Sequence, residues 1–109
     1  MKKQQKISSQ IREIIEEAIV DAYNDEEQEG GFLVLLQDNL PFPFKAYVIG
    51  EEVKVVDVDQ DVDERGIMAI CKLKGRKHRV SITSLEWIGK APKEAKYIEA
   101  YKAWLQGNW

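Results

Sequence analysis

From Lys45 onward the chain alternates short β-branched segments with turn signals, and this pattern constrains the fold more than any other feature. The segments KAYVI, EEVKVVDV, GIMAICKLK and HRVSITSL are separated by Gly50, an acidic loop and the pair Gly75-Arg76. Short strands at such spacing are typical of a small antiparallel sheet that curls on itself. We therefore predict an α+β fold with an SH3-like barrel of about five short strands, in one domain spanning residues 1–109.

Helical periodicity flanks these strands on both sides. Apolar residues at three- and four-residue spacing predict an amphipathic helix from Ser9 to Glu27, after a disordered tail at residues 1–8. We interpret Gly30-Gly31 as the stop of this helix, FLVLL as a buried strand and QDNLPFPF as an ordered turn. Pro92 is placed to open a closing helix. Its apolar stripe is interpreted as core packing and consists of Tyr97, Ile98, Tyr101, Trp104 and Leu105.

The composition excludes several classes of function. Cys71 is the only cysteine and His78 the only histidine, so one chain offers neither a disulfide nor a zinc site built from several histidines and cysteines. We expect a buried thiol at Cys71 and an exposed imidazole at His78. No motif for a nucleophile or a phosphate loop is present, so we expect no enzyme. Because the chain also lacks a long apolar run and a secretory signal, we expect a cytoplasmic protein without a membrane segment.

Acidic residues are concentrated near the predicted end of the first helix. Eight acids lie between Glu13 and Glu29, although the net charge of the chain is only −3. Carboxylates repel the negative end of a helix dipole and one another at four-residue spacing, and together these terms amount to about 1–3 kcal/mol. A hard cation such as Ca²⁺ would offset this repulsion, since it binds carboxylate and carbonyl oxygens. The alternative is a solvated acidic face that carries no ion.

A second acidic cluster has the sequence DVDQDVDE and contains Asp57, Asp59, Asp61 and Asp63. It does not fit an EF-hand loop. A loop starting at Asp57 has Val62 and Met68 at the positions of the required glycine and bidentate glutamate, and one starting at Asp61 ends on a lysine. In a strand the four aspartates would share one side. This row either binds a cation weakly or forms a solvated hairpin loop.

The cations cluster in KLKGRKHR, around a turn at Gly75. Cations at a hairpin turn usually serve solubility, and stacking aromatics are lacking nearby, so nucleic-acid binding is disfavoured. A rival hypothesis remains: an SH3-like interaction module that binds a protein or a nucleic acid without metal. Under that hypothesis Arg76 and Lys77 would contribute to binding, and the acids would serve only solubility.

One long segment resembles a known family. IVDAYNDEEQEGGFLVLLQDNLPFPFKAYV is similar to the signature region of the cyanobacterial calcium-binding protein (CcbP) family, and the resemblance extends over Ile11–Trp109. It implies a small acidic protein, without EF-hands, that binds Ca²⁺ through surface carboxylates as a buffer or sensor. The ligand residues implied by the motif are Asp21, Asp25, Glu26, Glu27, Asp38 and Asn39.

These observations lead to one leading hypothesis. We expect a monomer whose main calcium site joins the helix end, at Asp21, Asp25 and Glu26, to the turn at Asp38 and Asn39. This arrangement requires the segment after Gly30-Gly31 to bring Asp38 close to Asp25.

Overall fold

The computed structural model describes residues 8–61, 66–107 and 109. Two helices come first, a four-stranded sheet follows, and a third helix closes the fold. Residues 1–7 of the predicted tail lie outside the described residues, whereas Ser8 caps the first helix. The elements are α1 (Ser9–Ile19), α2 (Asp25–Asn39), β1 (Phe44–Val48), β2 (Glu51–Asp61), β3 (Gly66–Leu73), β4 (Arg76–Ser81), a 3₁₀ turn (Ile82–Ser84) and α3 (Ala95–Gln106).

Helix α1 begins where the sequence predicts but ends eight residues earlier. The Ser8 hydroxyl accepts a hydrogen bond from the backbone N–H of Ile11, at 3.1 Å, which caps the helix. The helix buries Ile14, Ile15 and Ala18 on one face, as the periodicity predicts. It ends at Ile19, so the prediction of one helix running to Glu27 is wrong.

The predicted strand FLVLL is also wrong, because these residues belong to α2. Asn24 is the N-cap of α2: its side-chain oxygen accepts from the backbone N–H of Glu27 at 2.9 Å. In return Glu27 Oε1 accepts from the backbone N–H of Tyr23 at 2.7 Å. This reciprocal pair, a variant of the capping box, satisfies two N–H groups that a helix start would otherwise leave free. The helix then buries Phe32 and Leu36.

The double glycine lies inside α2 and does not end a helix. Gly31 packs against the last turn of α1, and a Cβ added to Gly31 would overlap the backbone carbonyl oxygen of Ala18. A Cβ at Gly30 would meet nothing within 4 Å. Gly31 is therefore explained by the close approach of the two helices, which holds the α1–α2 corner in place.

The strands form one antiparallel sheet in the order β1-β2-β3-β4. Two-residue turns with positive φ, Ile49-Gly50 and Lys74-Gly75, connect β1 to β2 and β3 to β4. Within the described residues β1 and β4 pair with no strand beyond them, apart from a bridge between Tyr47 and Glu86, so the sheet is open. The closed SH3-like barrel of five strands is not supported, because each strand pairs only with its sequence neighbours and the two edges do not meet.

The helices cover one face of the sheet and form a single core with it. Cys71 is buried in this core and His78 is exposed, as expected. The aromatic stripe of α3 packs inward: Tyr101 is buried, and Tyr97 and Trp104 pack against the core. Leu105 is an exception, being half exposed. The largest fully buried side chains are Tyr101, Phe32, Ile15, Leu36, Ile67, Ile82, Ile98, Val55, Val58 and Cys71.

Among the described helices, none is long and apolar enough to cross a membrane.

Candidate metal centre

The short connection between α1 and α2 carries the first group of predicted ligands. Asp21 lies two residues beyond the end of α1, in the left-handed region with a φ of 62°, a conformation that aspartate tolerates better than most residues. Asp25 and Glu26 begin α2. All three side chains are exposed, and none has a hydrogen bond or an ion pair within the described part of the chain. We call this group, Asp21, Asp25 and Glu26, the acidic corner.

The acidic corner lies between two helix ends of opposite polarity. The last turn of α1 contains no basic residue, and its negative dipole end is close in sequence to Glu16, Glu17 and Asp21. Asp25 and Glu26, by contrast, occupy the first turn of α2, where the positive dipole end stabilises carboxylates. The repulsion inferred from the sequence therefore applies to the α1 side of the corner, and the α2 side is already stabilised.

Glu27 differs from its acidic neighbours because its carboxylate accepts the Tyr23 N–H in the cap of α2. Using Glu27 as a metal ligand would compete with that hydrogen bond. Of the four predicted ligands in this segment, Glu27 is thus the only one with a structural role in the fold as described.

The structure does not bring Asp38 and Asn39 to the acidic corner. Asp38 lies thirteen residues after Asp25 in the same helix, which corresponds to about 20 Å along the axis. Asp38 is exposed, and the Asn39 side-chain amide donates to the carbonyl oxygen of Leu35 at 2.9 Å. Because Ca²⁺ binds its oxygens at about 2.3–2.6 Å, one ion cannot join both ends of α2. The predicted joint site is wrong in this respect, since it depended on FLVLL being a strand.

The second cluster lies on β2, and the described part of it is hydrogen-bonded. Asp57 and Asp59 are exposed on either side of buried Val58, as the predicted alternation requires. Asp57 accepts from the backbone N–H of Val58 at 2.8 Å, and Asp59 pairs with Arg79 at 3.0 Å. The hydrogen bond from Arg79 and that from the Gln60 N–H lower the pKa of Asp59. The side chain of Asp61, and all of Asp63, lie outside the described residues.

Comparison with known proteins decides the family. A family model described as calcium binding, that of CcbP, matches residues 12–105. The chain belongs to the CcbP calcium-binding family. Two solved structures share the fold. The crystal structure of Anabaena CcbP is 22% identical, covers 93% of both chains and gives a TM-score of 0.76. A calcium-binding protein in its calcium-binding form is 23% identical, covers 94% of both chains and gives 0.72. No curated protein sequence matches.

The CcbP family is defined by ion binding rather than by a catalysed reaction. The arrangement of acids in this member suits that description in part. No group of three or more histidine, cysteine, aspartate or glutamate side chains is already arranged to hold a metal within residues 8–61, 66–107 and 109. The acidic corner offers exposed carboxylate oxygens, the ligand type that Ca²⁺ prefers, without a preformed cage.

A hydrogen-bond network that the sequence does not reveal connects α2 to α3 and to strands β2 and β3. Glu29 accepts hydrogen bonds from Gln60 Nε2 at 2.8 Å and from the Tyr101 hydroxyl at 2.7 Å. The same hydroxyl accepts from the backbone N–H of Ile67 at 3.1 Å. Burial, together with the hydrogen bond to Glu29, raises the pKa of Tyr101. These residues are far apart in sequence. The only sequence feature that pointed to this network was the position of Tyr101 in the apolar stripe of α3.

Proposed function

We propose that this protein binds Ca²⁺ at the acidic corner, with Asp21, Asp25 and Glu26 supplying carboxylate ligands. The observation that carries the proposal is that three neighbouring exposed carboxylates have no cationic partner in the described chain. Membership of a calcium-binding family supports the choice of ion. Carboxylate oxygens favour a hard cation, whereas transition metals favour imidazole and thiolate, and Cys71 is buried in the core.

The proposed site is not an EF-hand. An EF-hand places a loop of about 12 residues between its two helices, whereas α1 and α2 are joined by residues 20–24. So short a loop cannot enclose an ion with its own backbone. Water molecules and the exposed carboxylates would complete the coordination.

We further propose buffering as the role of this site. A calcium sensor needs a second conformation that exposes a different surface. The acidic corner is already exposed, so an ion could bind there without first uncovering a buried surface. The remaining predicted ligands would form two separate and weaker sites. One is Asp38 with Asn39, at the end of α2 that lies far from the acidic corner. The other is the row Asp57, Asp59, Asp61 and Asp63, in which Asp59 is already paired with Arg79.

Calorimetric titration with Ca²⁺ tests the site. We expect the double variant Asp21→Asn, Asp25→Asn to weaken the tightest binding step by about tenfold or more, which is about 1.4 kcal/mol or more. The matched control Asp38→Asn, Asp57→Asn removes the same charge at the other candidate positions and should leave that step unchanged. Equal weakening by the two double variants would refute the acidic corner. The absence of saturable Ca²⁺ heat in the unmodified protein would refute calcium binding itself.

Thermal unfolding provides a second test. A ligand that binds only the native state at 100 times its dissociation constant adds about 2.7 kcal/mol to the free energy of unfolding. For a chain of this size we expect a rise in melting temperature on the order of 10 °C, which a chelator should reverse. In the variant Asp21→Asn, Asp25→Asn the same Ca²⁺ concentration should give a clearly smaller rise. A rise of full size in that variant would place the ion elsewhere.

A further inference from the structure

The sheet face opposite the core carries a row of four lysines, one from each strand. Lys45 of β1 is directly opposite Lys54 of β2, Lys54 is opposite Lys72 of β3, and Lys72 is opposite Lys77 of β4. Side chains directly opposite each other in neighbouring strands lie on the same face, with Cβ atoms about 5 Å apart. All four lysines are exposed. We call this set, Lys45, Lys54, Lys72 and Lys77, the lysine row.

The lysine row is poorly compensated. Like charges directly opposite each other destabilise a sheet, and three such pairs follow one another here. Lys45 lies 4.0 Å from Glu52, at the limit of an ion pair. Lys54, Lys72 and Lys77 have no ion pair within the described part of the chain. The arrangement therefore lowers stability unless a negative group binds it.

Three members of the lysine row line a cleft, together with a fourth lysine outside the row. The cleft has a volume of about 240 Å³ and is lined by Pro43, Phe44, Lys45, Glu52, Val53, Lys54, Lys72, Leu73 and Lys74. Lys74 lies in the β3–β4 turn, where its φ of 53° is unusual for a lysine. Four lysines and one glutamate leave this concave surface strongly positive.

We propose that this cleft binds a small anion with several phosphate groups, such as an inorganic oligophosphate. Ammonium groups bind phosphate as point charges and do not require the planar geometry of a guanidinium. The cleft volume of about 240 Å³ favours a compact ligand, because sites for drug-sized molecules span about 300–1,000 Å³. A compact di- or triphosphate matches this size, whereas the base and sugar of a mononucleotide would extend beyond the cleft.

The observations favour this small ligand over a nucleic-acid strand. Single strands bind grooves in which aromatic side chains stack on successive bases. Among the described residues, the only aromatic one lining this cleft is Phe44, which is buried in the core. Three of the four lysines in the row also line one cleft, instead of a long groove.

Calorimetric titration of the full chain with inorganic triphosphate, in metal-free buffer at low salt, tests the proposal. We expect saturable binding of one equivalent, and a loss of at least about tenfold in affinity for the double variant Lys54→Gln, Lys72→Gln. The variant should keep or raise its melting temperature without ligand, because it removes like-charge pairs. Lost binding in a protein of undiminished stability distinguishes a ligand site from a structural role.

The control variant Lys90→Gln, Lys93→Gln removes the same charge from exposed positions outside the cleft. It should bind triphosphate as the unmodified protein does. An equal loss in this control, or no saturable binding to the unmodified protein, would overturn the proposal. Tighter binding of a single-stranded oligonucleotide than of triphosphate, dependent on the same two lysines, would overturn it in favour of a nucleic-acid surface.

Discussion

Replacing Gly31 with alanine is expected to destabilise the protein by about 3 kcal/mol. The new Cβ would overlap the carbonyl oxygen of Ala18, which is backbone and cannot rotate away. Helices α1 and α2 would have to separate, and Ile15 and Phe32, both fully buried here, would lose contacts. Urea unfolding followed by tryptophan fluorescence would measure the change.

The adjacent Gly30 provides the control for this experiment. Nothing lies within 4 Å of a Cβ placed there, and alanine is favoured over glycine inside a helix by about 0.5–1 kcal/mol. We therefore expect Gly30→Ala to stabilise the protein slightly. Two neighbouring, chemically identical substitutions should thus change stability in opposite directions. If both have the same sign and a similar size, the helices do not cross at Gly31 as described.

Replacing Tyr101 with phenylalanine is expected to cost about 2 kcal/mol at neutral pH. The substitution removes the hydroxyl that donates to Glu29 and accepts from the backbone N–H of Ile67. The Ile67 N–H would then be buried without a partner, and this unsatisfied donor accounts for most of the lost free energy of unfolding. Tyr97→Phe is the matched control, because Tyr97 is only half-buried and its hydroxyl has no hydrogen bond within the described residues. Equal losses in the two variants would contradict a specific network.

The same pair of variants predicts a dependence on pH. Because burial and Glu29 raise the pKa of Tyr101 in the folded state, the folded protein retains a proton that the unfolded chain releases above about pH 10. The contribution of Tyr101 is complete below that pH and decreases as the pH rises. The stability advantage of the unmodified protein over Tyr101→Phe should shrink by about 1.4 kcal/mol between pH 8 and pH 11. An advantage that does not change with pH would show that the hydroxyl ionises freely in the folded state.

The sequence predicts the parts of this fold that depend on local periodicity. The apolar stripe of α1, the buried Cys71 and the inward face of α3 are confirmed, because each follows from the spacing of apolar residues within one element. Four strands form where the segments from Lys45 onward predict them, except that HRVSITSL leaves its strand at Ser81 for a 3₁₀ turn. Closure of the strands into a barrel is not a local property. Whether β1 meets β4 depends on the curvature of the sheet and on the helices that cover it.

The largest error concerned α2, and its cause is specific. A double glycine usually ends a helix, and FLVLL has no helical periodicity of its own. The signal that opposed this interpretation was Asn24 followed three residues later by Glu27, a pattern typical of a helix start. This pattern conflicts with placing the same acids at the end of α1. The need for Gly31 arises from Ala18, and a contact between two helices cannot be read from either segment alone.

The candidate site was predictable only where its residues are neighbours in sequence. Asp21, Asp25 and Glu26 form one exposed group in the structure as in the sequence. The position of Asp38 depends on the intervening chain, which is helical and not the predicted strand. Glu29 and Tyr101 are joined across seventy-two residues, a separation that single-sequence periodicity cannot resolve.

The cap formed by Asn24 and Glu27 has a consequence for how such a protein would exchange its ion. Because the acids start a helix, the dipole of α2 stabilises part of their charge before any cation arrives. We therefore expect the protein to fold without the metal, in contrast to small zinc domains that unfold when their ion is removed. An ion could leave and return while the scaffold stays intact, so uptake and release would be limited by diffusion and hydration rather than by refolding.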